Sequence, residues 1–443
     1  MNRLNPLDNP EISTLPSGMQ VATLHLPWSQ TVDMSLTIKS GAYDDPPGKE
    51  GMAHLLEHLL FSRHKYERIE NLGGEVGAFT TNIRISYELK CVAAQFSAIW
   101  APFLLMRANP DFSSENCAHE KVIIDDERDV DRNKQLSLEI IRLSEAIACG
   151  YTGFKEPIIG SRESVDAITP ADLQIFYNTH SVAANQILVA VGKLTHAEVC
   201  DLASEMGDHM PKGPLPQKVR PKYEFRPTAH IFLTEERHQV GIRIVFSAPA
   251  KKQDYGAYVA YGLYASMLAE VFRKEFRYNE GSYAHPEAFY NDVPEHGIAT
   301  LLIRAEIPNS KKEKLQPALD KIISIIQNMP ALINEKRLTV RKRGKERVYL
   351  QELENIAARR REIERDILHT GKYDSVGAYL AALNSVRLED IRGIAEKVAC
   401  QEFGCHLVGG IEKPPLVPKA ANLKVTDESA RLAFGITRLP RYL

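Results

Sequence analysis

The residues best equipped for chemistry are His54, Glu57 and His58, in the run His54-Leu55-Leu56-Glu57-His58. In a helix, positions four apart lie on the same face, so both imidazoles can reach one metal ion. At ~100° per residue, His54, Glu57, His58 and Phe61 share one arc, and Met52, Leu55, Leu56, Leu59 and Leu60 fall on the other. One face of such a helix packs into a core while the other presents ligands. Two histidines leave a divalent ion short of donors, because a hydrolytic zinc takes three protein ligands and keeps one position open. Glu57 is needed as the base beside a metal-bound water, so the third ligand must come from elsewhere. Glu120 and Glu127 offer it: they are seven apart, about two helical turns, with apolar Val122, Ile123 and Ile124 between them. The plain alternatives are a surface helix with two unrelated histidines and a solvated acidic face.

The surrounding sequence must supply elements that hold these groups. Strand-like runs at 19–26 and 33–40 precede the histidine helix, expected near 51–61. Leu173–Tyr177 and Gln186–Val191 read as a helix followed by a strand. The same order recurs later: strand-like runs at 229–234 and 239–247, a helix near 256–277, then Leu388–Val398 and Glu402–Val408. The pattern is that of a duplicated α+β unit. Between the copies, 208–228 holds Pro211, Pro214, Pro216, Pro221 and Pro227, which preclude a continuous helix or central strand. The division expected is a metal-binding domain at 1–210, a proline-rich linker at 211–228 and a second domain at 229–443 with a C-terminal extension. The tail from Lys413 has little periodicity and reads as loosely packed. The charged stretch 334–365 reads as a long helix whose arginines, among them Arg359 and Arg360, line a solvated face or a basic wall.

Composition narrows the class. The 443 residues are 44% hydrophobic and 25% charged, with a formal net charge of -2, which gives no reason to expect nucleic acid or an anionic membrane as partner. No apolar run approaches the ~20 residues that span a bilayer. The six cysteines form no CxxC pair and read as reduced thiols. The start carries no apolar leader, so the expected location is the cytoplasm.

These residues resemble the pitrilysin family of zinc metallopeptidases, and within it the half-length branch similar to mitochondrial processing peptidase and bacterial relatives. HxxEH is that family's inverted zinc motif. Leu72-Gly73-Gly74-Glu75-Val76-Gly77-Ala78-Phe79-Thr80-Thr81 is similar to its glycine pair and substrate-edge strand, with Gly77 where the family often has asparagine. Pro157-Ile158-Ile159-Gly160 follows, then Ile168–Leu173, Phe176-Tyr177, Asn185 and Leu188–Gly192, in the family's end-of-domain order. The resemblance implies two similar domains, each a mainly antiparallel sheet packed with helices, forming half of a clamshell.

It also implies roles. His54, His58 and Glu127 would bind zinc (Zn2+), Glu57 would be the general base, and Glu120 would orient a ligand from behind. A strand from about Ala78 to Tyr87, with Ala78, Phe79, Thr80, Thr81 and Asn82 at the site, would pair with an extended peptide. Arg277 with Tyr283 would hold the substrate carbonyl, although Phe276 is the residue seven before Tyr283. Two domains are half of the family's assembly, so a homodimer or a heterodimer with a homologous chain is implied. The function expected is a zinc endopeptidase acting on peptides or precursors. The competing readings are a non-catalytic, partner-dependent subunit and a metal-dependent hydrolase of small molecules.

Overall fold

The computed structural model describes residues 8–61, 63–108, 110–130, 158–218, 225–233, 239–278, 284–293, 298–411, 413–422 and 434–438. It divides into two compact units. The first is built from the described parts of Met1–Asp131, Lys155–Arg220 and Tyr349–Val376, and the second from those of Pro221–Val348 and Gly377–Leu443. Tyr349–Val376, assigned by the sequence to the second domain, therefore packs within the first unit.

In the first unit the strands are β1 (Glu11–Thr14), β2 (Gln20–His25), β3 (Thr31–Ile38), β4 (Glu75–Thr80), β5 (Ile85–Val92) and β6 (Gln186–Gly192). They form one sheet in the order β1-β2-β6-β3-β5-β4. Only the β2–β6 pair is parallel. β3 shows how sequence sets the layers, since successive side chains alternate faces. Val32, Met34, Leu36 and Ile38 enter the main core, while Asp33, Ser35 and Thr37 point the other way. The core side is covered by α1 (Met52–Leu60), α2 (Arg63–Glu70), α3 (Phe96–Ala108), α4 (Ser114–Val130) and the helices Pro170–His180 and His196–His209.

The opposite face is covered by the helix Ile356–Thr370, which lies on β6 and β3. Ile363 and Ile367 meet Ile187, Val189 and Val191 there. Beside this apolar contact lies a buried charged cluster. Arg360 bonds Asp33 and Glu364 at 2.6 Å each, and also Glu88. Glu364 further accepts from Ser35 (2.9 Å), Thr37 (2.7 Å), Ser86 (3.1 Å) and Arg84 (3.0 Å). Arg359 and Arg360 are fully buried, so the expected solvated arginine face is corrected at both. The charged stretch is also two helices, Glu335–Leu353 and Ile356–Thr370, the second capped by the Asn355 side chain on the Ala358 amide.

The second unit contains β7 (Ala229–Leu233), β8 (Gln239–Ala248), β9 (Glu287–Val293), β10 (Ile298–Pro308), β11 (Gly404–Val408) and β12 (Phe434–Arg438), in the order β12-β7-β11-β8-β10-β9. Position by position this repeats the first sheet, and β7–β11 is parallel as β2–β6 is. The added edge differs: β12 runs parallel to β7, whereas β1 runs antiparallel to β2. The tail expected to be loose thus supplies a strand, and Val417 and Ala421 lie in the core. A core of residues such as Ile242, Ile244, Phe246, Leu268, Ile303 and Ile322 fills the helix-covered side. No helix among the described residues is long and apolar enough to cross a membrane.

Candidate metal centre

α1 starts where Asp45 accepts from the Gly51 and Ala53 amides at 2.8 and 2.9 Å. A carboxylate suits the unpaired amides of a helix start. Gly51 has φ +98°, and a Cβ there would come within 2.8 Å of the Ile159 carbonyl oxygen, so only glycine allows this approach. Met52, Leu55, Leu56 and Leu59 then enter the core, which turns His54, Glu57 and His58 toward α4 and β4.

The structure brings His54, His58 and Glu127 together. Their donor atoms lie within 4.8 Å of one another. Glu127 Oε2 is 3.7 Å from His54 Nε2 and 3.5 Å from His58 Nε2. The rings meet edge to face with centroids 4.7 Å apart. Two imidazole nitrogens and one carboxylate oxygen are the donor set of a hydrolytic zinc. Behind the ligands, His58 Nδ1 meets Glu120 Oε2 at 3.3 Å, which leaves Nε2 as the nitrogen turned to the centre. Glu120 is buried and Glu127 is half-exposed. His54 Nδ1 is buried with no hydrogen-bond partner among the described residues.

The electrostatics suit a cation. Burial, with the neighbouring His58 adding to it, pushes His54 down to about 3, so the ring is neutral as a ligand must be. Burial alone would lower His58, but its hydrogen bonds to Glu120 and Glu127 outweigh this and lift it to about 9. The His58 contact, more than the burial opposing it, holds Glu127 below the ordinary carboxylate range. Glu57 is raised by burial despite a hydrogen bond that favours its charged form.

That bond comes from Thr80, whose Oγ1 donates to Glu57 Oε2 at 2.6 Å. Sequence reasoning placed Thr80 against the substrate, not against Glu57. The signal available was its position as last residue of an edge strand, but no spacing rule links it to a helix 23 residues earlier. Ala78, Phe79 and Thr80 lie in β4, which pairs only with β5 among the described residues.

The strand expected over Ala78–Tyr87 is corrected to a hairpin. β4 ends at Thr80, Thr81 and Asn82 form a turn, and β5 starts at Ile85. The Thr81 hydroxyl accepts from the Ile83 and Arg84 amides at 3.3 and 3.2 Å, which closes the turn without glycine or proline. Arg277 is exposed in the π-helical turn Arg273–Tyr278 of the second unit, and Tyr283 lies outside the described residues.

Comparison with known proteins follows this geometry. Residues 20–158 match the family model Insulinase (Peptidase family M16), and residues 167–343 match Peptidase M16 inactive domain. The chain is similar to the mitochondrial-processing peptidase subunit beta of Blastocladiella emersonii, 24% identical over 429 residues, 91% of this chain and 90% of that one. It is also similar to an uncharacterized zinc protease of Rickettsia bellii, 22% identical, covering 91% of this chain and 98% of that one. A protease from Helicobacter pylori shares the fold with TM-score 0.76 and 19% identity, over 92% of this chain and all (100%) of that one. The periplasmic protease PqqL from Escherichia coli matches with TM-score 0.79 and 15% identity, over 95% of this chain and 50% of that one. With both of its domains matched and its length shared with two-domain relatives, the chain belongs to peptidase family M16, in the half-length, pitrilysin-like form.

Proposed function

We propose that this chain is a zinc-dependent endopeptidase acting on extended peptides. The observation that carries the reading is the convergence of His54 Nε2, His58 Nε2 and Glu127 Oε2 beside a buried Glu57. These three residues would hold the metal, with Glu120 fixing His58 from behind. When bound, zinc polarises a carbonyl and lowers the pKa of its water toward neutrality. Glu57 takes the proton of the attacking water and later delivers it to the leaving amine. Thr80 occupies Glu57 Oε2, so Oε1 is the oxygen left for this transfer. β4 offers its open side to a peptide main chain, which supplies affinity with little demand on sequence. Arg277 and Tyr283, from this chain or a partner, serve as the pair that stabilises the oxyanion. The active form is a dimer, with itself or with a homologous chain. A relative named as a peptidase subunit supports that reading.

The test is metal content of the purified chain measured alongside cleavage of quenched peptides, repeated on His58→Ala and Glu57→Gln. About one zinc per chain, lost with cleavage in His58→Ala, together with retained metal and lost cleavage in Glu57→Gln, is the expected result. Absence of bound metal from the unaltered chain would overturn the reading.

The second reading is a partner-dependent, non-catalytic subunit. It is favoured by the match of residues 167–343 to a model described as inactive. It requires metal without cleavage, and no change in the function of the assembly upon Glu57→Gln.

A further inference from the structure

Between the end of β3 at Ile38 and the start of α1 at Met52, the chain makes a single 3₁₀ turn, Ala42–Asp44. This stretch touches both the hairpin that carries Thr80 and the helix that carries the histidines. At one end, the Ala42 amide donates to the Thr81 carbonyl at 3.0 Å, and the Tyr43 amide to the Asn82 carbonyl at 2.9 Å. The Asn82 side-chain amide donates to the Tyr43 hydroxyl at 3.3 Å. At the other end, Asp45 accepts from the Gly51 and Ala53 amides at the start of α1. Lys218 braces the turn through Asp44 Oδ2 at 3.3 Å and the Ser40 hydroxyl.

The hairpin tip needs such a hold. β4 is an edge strand, its residues are half-buried or exposed, and its ladder with β5 ends at the Thr80–Ile85 pair. Tips of this kind open at little cost, because few buried contacts oppose the opening. Thr80 nevertheless places its hydroxyl 2.6 Å from Glu57 Oε2. A bond of that length is lost once the atoms part by about an ångström. The residue after Thr80 is Thr81, whose carbonyl Ala42 grips. That grip requires glycine at position 41. A Cβ there would lie 2.2 Å from the Thr81 carbonyl oxygen, 2.6 Å from the Arg84 amide nitrogen and 2.7 Å from that of Ile83. The two backbones approach too closely for any side chain.

We propose that Gly41–Asp45 is a positioning segment for the peptidase reaction: it ties the β4–β5 tip to the start of α1 and so holds Thr80 against Glu57. The inference rests on the peptidase reading, in which Glu57 is the base. The segment acts through Thr80 rather than on the peptide.

The test compares Gly41→Ala, Thr80→Val and the two combined in the full chain. On the same samples it reads kcat and KM with quenched peptides, metal content, and amide hydrogen exchange by mass spectrometry. Gly41→Ala should keep its metal and lower kcat by about tenfold, the value of one hydrogen bond to a charged group, while KM moves far less. The combined variant should be no slower than Thr80→Val alone, because the hydroxyl that the segment positions is already gone. Exchange in Gly41→Ala should quicken both in the peptide spanning 78–87 and in the first turn of α1. Should Gly41→Ala fail to fold, Tyr43→Phe takes its place, since it removes the contact with Asn82 and adds no volume. A smaller fall in kcat, absent in the Thr80→Val background, is expected of it, and an unchanged kcat would overturn the proposal. Losses that multiply in the combined variant, loss of metal from Gly41→Ala, or unchanged exchange at the tip would overturn it equally. Exchange needs no turnover. An unaltered chain that cleaves no peptide would sink the peptidase reading, and exchange at the tip and at α1 would still decide whether the segment ties the two together.

Discussion

Along β3 the residues facing away from the core are Asp33, Ser35 and Thr37, whereas the corresponding face of β8 carries Arg243, Val245 and Ser247. The first set lies under Arg360 and Glu364 in a dense buried ionic cluster. In the second, Arg243 meets the partly exposed Glu306 at 2.6 Å, and Val245 packs with Leu302 and Phe225. The inward alternation of apolar residues is common to both strands. That shared alternation is what the fold requires, and the other positions are left free to carry an ionic cluster in one sheet and a mixed polar and apolar face in the other.

Two units with one sheet order make a controlled pair for substitution. The largest effect is expected at α1. Glu57→Gln should lower kcat by about 10²–10⁴-fold with metal retained, measured on quenched peptides, while Ser324→Ala, exposed on the second-unit helix Leu315–Leu332, should leave cleavage unchanged. Equal losses would erase the functional contrast. Next comes the buried cluster. Glu364→Gln should destabilise the first unit by about 3–5 kcal/mol, and Glu306→Gln should cost about 1 kcal/mol or less, both by urea unfolding. The Glu364 effect should depend on pH. Burial alone would raise its pKa, but Arg84 and Arg360 together with Thr37 and Ser35 outweigh this and hold it below the ordinary carboxylate range. A depressed folded-state pKa gives stability that is full above the unfolded value of about 4.3 and lost as pH falls through the folded value. The penalty of Glu364→Gln should therefore shrink in acid, and a penalty constant with pH would show that packing, not charge, dominates there.

Smaller effects probe the site's support. Glu120→Gln should weaken metal affinity by about 10–100-fold, read by competition with a chelator. Unchanged affinity would show that His58 is oriented by packing alone. Thr80→Val should reduce kcat by about tenfold, the value of one hydrogen bond to a charged group, with KM little changed and activity restored by Thr80→Ser. A rise in KM with kcat intact would place Thr80 on the peptide instead.

The legible parts of this molecule were those written in short periodicities. Four-residue spacing places His54 and His58 side by side, and seven-residue spacing places Glu120 and Glu127 on one helical face toward them. The repeated strand–helix order anticipated two alike sheets because apolar alternation is local. What escaped depended on distant partners. Thr81 and Asn82 turn the chain through a side-chain hydrogen bond, so no glycine or proline marked the hairpin. Arg359 and Arg360 look like any solvated charge run until Asp33, Glu88 and Glu364 are brought beside them. The tail lacked periodicity because β12 is short and its pairing with β7 is set some 200 residues away.

The helix Ile356–Thr370 belongs to the first unit although most of the second precedes it in the chain. A ribosome releasing this protein from its N-terminus would expose Asp33, Glu88 and the outer sides of β6 and β3 long before Arg360 and Glu364 exist to meet them. Domains that fold one after another during synthesis are the ordinary case; here the first unit must wait, incomplete, for the middle of the second to be made. A cut in the proline-rich segment would accordingly not release a self-sufficient N-terminal half.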